Sequence, residues 1–130
     1  MTAAPGTERR RLQRVAEAIK KHVAEALSRE LFDPRLGGLI LTRVEVTPDL
    51  SLARIFFRLL AGTPDATARK KLERAANHAA PALRRGLGGR VAMKRTPELS
   101  FHYDQGQEAV DRVEQLLGEI AAEGSGRPPD

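Results

Sequence analysis

Nine Lys or Arg side chains stand between Arg69 and Arg95 against one acid, Glu73. Cations at that density can neutralise a row of phosphates. Arg84 and Arg85 come first, because a guanidinium offers a planar fork of donors that fits phosphate oxygens. Lys70 and Arg74 lie one helical turn apart and could bracket a backbone. Arg90, Lys94 and Arg95 could extend the same track. Arg9, Arg10 and Arg11 form a second cluster near the N-terminus. Contacts of this kind position a protein on nucleic acid without reading its sequence. The competing reading of each residue is a solvated surface charge.

Other chemistry has little material. His22, His78 and His102 are isolated from one another, without metal-ligand spacing. The chain has no cysteine, so disulfides and thiolate catalysis are excluded. No serine-centred motif, Walker-type loop or dinucleotide fingerprint is present, and Leu87–Arg90 (LGGR) reads as a helix stop. Glu98 and Asp104 flank a strand and read as structural. The expectation is no enzyme, no metal, no cofactor and no small-molecule substrate. Phe56, Phe57, Phe101 and Tyr103 fall in strand patterns and read as core rather than as a stacking platform.

The elements that must carry the cations fit one domain. A chain of 130 residues buries roughly two-thirds of its unfolded surface. The net charge of +5 is unevenly spread: residues 69–95 carry nine bases and one acid, residues 98–130 two bases and eight acids. A basic middle before an acidic tail gives a directional field toward an anionic partner. No apolar run is long enough to span a membrane. The N-terminus lacks the apolar stretch of a signal peptide, so the expected compartment is the cytoplasm.

Residues 1–8 read as a disordered arm and 121–130 as a disordered tail around a domain at 9–120. A helix is expected from about Glu8, with Leu12, Val15, Ile19, Val23 and Leu27 on one stripe. It should end before Asp33–Pro34, and Gly37–Gly38 should form a mobile turn. Leu39 to Val46 alternates as a strand, with Ile40, Thr42, Val44 and Val46 on one face. The turn at Thr47–Leu50 leads into a second, antiparallel strand to Leu60. Thr63 is the expected N-cap of the next helix, with Pro64 in its first turn. That helix runs on Leu72, Ala76 and Ala79. Pro81 should split it, because an interior proline costs about 3 kcal/mol; a second helix should start there and end at Gly86–Gly89. Arg90 to Lys94 is an ambiguous short strand. Glu98 to Tyr103 is a third strand, and an apolar stripe at Val110, Val113, Leu117 and Ile120 marks a last helix from Gln107.

The order of helix, strand, strand, helix, interrupted helix, strand resembles the type II KH arrangement. That is an α/β (α+β) domain whose three-stranded sheet is covered by helices, here with an extra C-terminal helix. The DPRL at Asp33–Leu36, the TPDL at Thr47–Leu50, the LGGR at Leu87–Arg90 and the PELSFHYD at Pro97–Asp104 resemble the ribosome-binding factor A family. The resemblance covers about residues 9–117. It implies a KH-like protein that binds the small (30S) ribosomal subunit and assists late maturation of small-subunit rRNA, including growth in the cold, without catalysis. Its partners would be small-subunit rRNA and the 30S particle, not a membrane, and the free protein would be a monomer. It also implies a helix–kink–helix with an Ala-x-Gly motif. The matching triplet is Ala79, Ala80 and Pro81, where proline replaces the glycine. The alternative functions are a protein–protein interaction module and a general RNA chaperone.

Overall fold

The computed structural model describes residues 5–29, 33–91 and 93–126. Helix α1 spans Pro5–Ser28, and a short 3-10 helix spans Pro34–Gly38. Strands β1 (Leu39–Val46) and β2 (Leu52–Leu59) follow, then α2 (Ala66–Leu87), β3 (Glu98–Tyr103) and α3 (Gln105–Gly126). The sheet order is β1-β2-β3, antiparallel between the first pair and parallel between the second. The parallel step is made by α2, as a crossover requires.

Both α1 and α2 bury their apolar stripes on the same face of the sheet. Val15, Ile19, Val23 and Leu27 come from α1; Leu72, Ala76, Ala79, Ala80, Leu83 and Leu87 come from α2. They meet Ala53, Ile55 and Phe57 of β2 and Leu99, Phe101 and Tyr103 of β3. With few aromatics, the centre depends on Phe57 and Phe101, both fully buried. Phe57 meets Tyr103 edge-on, with centroids 5.7 Å apart.

Several local expectations are corrected. Helix α1 opens at Pro5 rather than near Glu8, since proline is tolerated in a first helical turn. Helix α3 starts at Gln105 and continues through residues 121–126, where Ala121 and Ala122 favour helix. The Gly37–Gly38 turn belongs to the 3-10 helix, capped by Asp33, whose carboxylate accepts from the Arg35 amide at 3.0 Å. Leu36 pins it into the core. The N-cap of α2 is Asp65 rather than Thr63: its carboxylate accepts from Ala68 N–H at 2.8 Å. No strand forms across the described residues from Arg90 to Lys94.

The β1 face assignment fails at Thr42. Leu41 pairs with Phe57 and Arg43 with Phe56, leaving Thr42 as an extra residue in a bulge. Leu39 and Leu41 therefore share the core face with Val44 and Val46, and Ile40 lies opposite. The bulge also re-aims Thr42. Its hydroxyl donates to the carboxylate of Asp104, a buried residue just after β3.

The largest correction concerns α2. It is one helix of 22 residues with Pro81 inside it, not two helices meeting at Ala80. Ala79, Ala80 and Leu83 are buried on either side of the proline while Pro81 itself is exposed. Packing holds both halves on the sheet and offsets the cost that favoured a break.

Candidate nucleic-acid interface

Helix α2 is fixed to the free edge of β3 by its own polar side chains. The Glu98 and Asp104 amides donate to Ser51 and Phe57 of the β2 side. Alternation then turns the amides and carbonyls of Leu99, Phe101 and Tyr103 outward, away from β2. Glu73 accepts from Tyr103 N–H at 3.2 Å. Asn77 accepts from Phe101 N–H at 2.8 Å and donates to Phe101 C=O at 3.1 Å. Four helical residues rise about 6 Å and two strand residues about 6.7 Å, so Glu73 and Asn77 keep step with Tyr103 and Phe101. Further along, Arg84 donates through Nε and Nη2 to Thr96 C=O at 3.2 and 2.9 Å. The edge is thereby closed to strand pairing at both ends of the helix contact.

The stitching skips one step. Opposite Leu99 the helix presents Ala80 and Pro81, whose side chains have no polar atom. An open groove of about 610 Å³ lies there, lined among others by Asn77, Pro81, Arg84, Arg85, Thr96 and Leu99. Pro81 lacks an N–H, so the Asn77 carbonyl loses its helical donor beside this groove. Two arginines, one acid (Glu98), an outward strand edge and a released carbonyl therefore surround one opening.

The sequence-derived cations divide by where α2 and its flanks place them. Lys70, Arg74 and Arg85 project from α2 within an arc of roughly 60°, on a ridge roughly 22 Å long at 100° and 1.5 Å per residue. All three are exposed, and among the described residues none makes an ion pair. Arg84 leans to the β3 side and is engaged with Thr96, so part of its donor capacity is structural. Arg90 lies in the turn after α2 and lines a small cleft with His22 of α1 and Arg29 just past its end, away from the Pro81 groove. Lys94 and Arg95 are exposed before β3. Arg95 faces the β1–β2 turn, where it helps hold the Asp49 carboxyl down at about 2, behind the stronger effects of the Ser51 and Thr47 hydroxyls and the Ser51 amide. Arg9, Arg10 and Arg11 are exposed on the first turns of α1. Since α1 meets α2 around Val23 and Ala26, that cluster stands roughly 20 Å further along the α1 axis. It is a separate patch.

Three further residues join this surface that the sequence reading does not single out. Lys71 and His78 flank the ridge on its far side, and Arg35 of the 3-10 helix faces them across a groove of about 730 Å³ shared with Arg74 and Asp33. The signal was available in the spacing of Lys71, Arg74 and His78 at i, i+3 and i+7. Arg35 was not legible as part of this site, because only the fold brings Pro34–Gly38 beside α2. Its guanidinium is held by Asp33 at 2.6 Å, and that contact pulls the Asp33 carboxyl down to about 2. Among the described residues no group of three or more His, Cys, Asp or Glu could hold a metal ion, and no helix is long and apolar enough to cross a membrane.

Comparison with known proteins bears on the family and the fold. A family model described as ribosome-binding factor A matches residues 11–117. The ribosome-binding factor A of Pelobacter propionicus is 43% identical over 114 residues, 88% of this chain and 91% of that protein. That of Trichlorobacter lovleyi is 42% identical over 117 residues, 90% of this chain and 93% of its own. The crystal structure of ribosome-binding factor A from Thermus thermophilus matches with a TM-score of 0.58 at 27% identity, covering 69% of this chain and 92% of that one. A solution NMR structure of a Thermotoga maritima protein described as a ribosome binding factor A matches with a TM-score of 0.62 at 30% identity, covering 82% and 93%.

Proposed function

We propose, from the premise that this chain belongs to the ribosome-binding factor A family, that it binds the small (30S) ribosomal subunit through rRNA and assists late maturation of that rRNA. It acts by binding rather than by turnover. Contacts with one rRNA conformation raise that conformation's population, an effect of most use in the cold, where misfolded RNA escapes slowly. The protein works in the cytoplasm, as a monomer when free.

The observation that carries this reading is the α2 ridge. Lys70, Arg74 and Arg85 are exposed, lie on one line and are without acidic partners among the described residues. The Pro81 groove lies beside them. A duplex or folded RNA offers phosphates and 2′-hydroxyls to such a surface and is recognised largely by shape. With about four to six phosphate contacts, log affinity should fall against log salt with a slope of about −3 to −5. Sedimentation with separated ribosomal subunits at two salt concentrations tests this. Salt-sensitive association with the small subunit is expected. Association that ignores salt, or that is equal for both subunits, rules the reading out.

A second reading rests on α3. Val113, Leu116, Leu117 and Ile120 are 55–59% exposed there, a stripe better suited to a protein partner than to rRNA. If α3 carries the function, Leu117→Ser with Ile120→Ser abolishes subunit association while Arg74→Ala with Arg85→Ala leaves it intact.

A further inference from the structure

With α3 meeting the sheet at β2, neither α1 nor α2 covers the other face of the sheet. At its middle, one cross-strand row runs through all three strands: Arg43 of β1 pairs with Phe56 of β2, and Phe56 with His102 of β3. The Arg43 guanidinium stands 4.0 Å over the Phe56 ring. The His102 ring lies 5.5 Å from Phe56, tilted by 34°. Ser100, on the same face, sits 2.9 Å from His102 Nε2. Arg54, exposed, occupies the next row.

The strand pattern reads Phe56 as core, and its neighbour Phe57 is core, fully buried. Phe56 instead points to the side without α1 or α2, half-buried, between a guanidinium and an imidazole. The Arg43 side chain is 53% exposed and is tied to the protein by Phe56 and a 3.5 Å contact to Glu45. A planar cation backed by an aromatic ring is a surface on which a nucleobase stacks whatever its identity.

Resting on the RNA-binding reading above, we infer that this sheet face is a second RNA-contact surface, on which one unpaired base stacks against the Arg43–Phe56–His102 row. The ligand is single-stranded RNA rather than duplex, because only an unstacked base can present its plane to the row. Arg54 takes an adjoining phosphate, and the His102 and Ser100 polar atoms face the edge of the base or its sugar hydroxyl. The α2 ridge holds RNA by its backbone, on another side of the domain. The two surfaces would hold a folded and an unpaired segment at once.

The test uses the full chain and a short single-stranded oligoribonucleotide carrying 2-aminopurine, whose fluorescence falls on stacking. Phe56→Leu and His102→Ala are compared with wild type and with Arg74→Ala/Arg85→Ala, each checked for an intact fold by circular dichroism. Wild type should bind and quench. Phe56→Leu should lose the quench and at least about fivefold in affinity, the lower end for one stacked base. His102→Ala should weaken both, and Phe56→Trp should restore them. The Arg74/Arg85 variant should still quench at saturation. Wild-type quenching and affinity in both Phe56→Leu and His102→Ala would overturn the inference. If the Arg74/Arg85 variant still loses small-subunit association in that case, the ridge reading survives alone. If wild type neither binds the oligonucleotide nor associates with the subunit, both readings fall.

Discussion

The carboxamide of Asn77 replaces a neighbouring strand for Phe101. Its Oδ1 accepts from the Phe101 amide at 2.8 Å and its Nδ2 donates to the Phe101 carbonyl at 3.1 Å. An amide side chain carries the same donor and acceptor as a peptide group, so a helix residue completes the edge of a sheet. The consequence reaches the candidate interface, because this contact sets where α2 runs along β3 and therefore where the groove at Pro81 opens.

Asn77→Ala should destabilise the domain by about 1–2 kcal/mol, since two part-buried backbone groups lose their partners and water can replace them only in part. Urea denaturation measures the loss. Amide exchange at Phe101 should accelerate more than at Ile55 of the central strand. Equal acceleration at both would mean that the contact only follows the fold and does not hold the edge.

Pro81→Ala should stabilise the protein. Alanine restores an N–H for the Asn77 carbonyl and removes the ring clash, worth about 3 kcal/mol in a helix interior. The substitution also frees the unfolded chain, which returns roughly 0.4–1 kcal/mol. A net gain of about 2 kcal/mol in chemical denaturation is expected. No gain would mean that the Asn77 carbonyl is already satisfied. If the groove serves RNA, the stabilised variant should bind the small subunit more weakly.

The sequence made the helical faces readable and left the points of exception obscure. The α1 stripe of Val15, Ile19, Val23 and Leu27 follows directly from 3.6-residue periodicity, and all four are buried. The β1 face failed at Thr42 because a bulge shifts a period of two by one residue and leaves no local mark. The split at Pro81 failed because local propensity was outweighed by packing on both sides of it. The α3 stripe was periodic, but periodicity cannot say whether a face finds a partner: Val113, Leu117 and Ile120 remain mostly exposed. Of the site, the α2 cations were legible as composition. The engagement of Arg84 with Thr96 was not, because it needs the loop before β3 folded back.

Acid should weaken the fold in a window set by Asp33 and Asp49. Both carboxyls lie at about 2, below the unfolded value of 3.8. Each therefore contributes stability that is present above the unfolded value and is lost as pH falls from about 4 toward about 2. Asp49→Asn keeps an acceptor for Ser51 and Thr47 but not the charge. The variant should be less stable than wild type at neutral pH, and the two urea midpoints should converge below about pH 2. A constant difference across that range would assign the effect to shape rather than charge.

Arg74→Ala with Arg85→Ala is the cleanest probe of the ridge, and a better one than any pair containing Arg84. Arg84 straps Thr96 through two hydrogen bonds, so its removal loosens the approach to β3 and mixes a folding effect with a binding one. Arg74 and Arg85 are exposed and share the ridge, and neither makes an ion pair among the described residues. Their loss should leave the urea midpoint within about 0.5 kcal/mol of wild type. Each phosphate contact removed takes roughly 0.7–0.9 from the salt slope. The double variant should therefore bind the small subunit more weakly at low salt and with a slope shallower by about 1.5. Weaker binding at an unchanged slope would show that the two arginines act through something other than phosphate. Unchanged binding would move the interface off α2 and back to Arg9–Arg11 or α3.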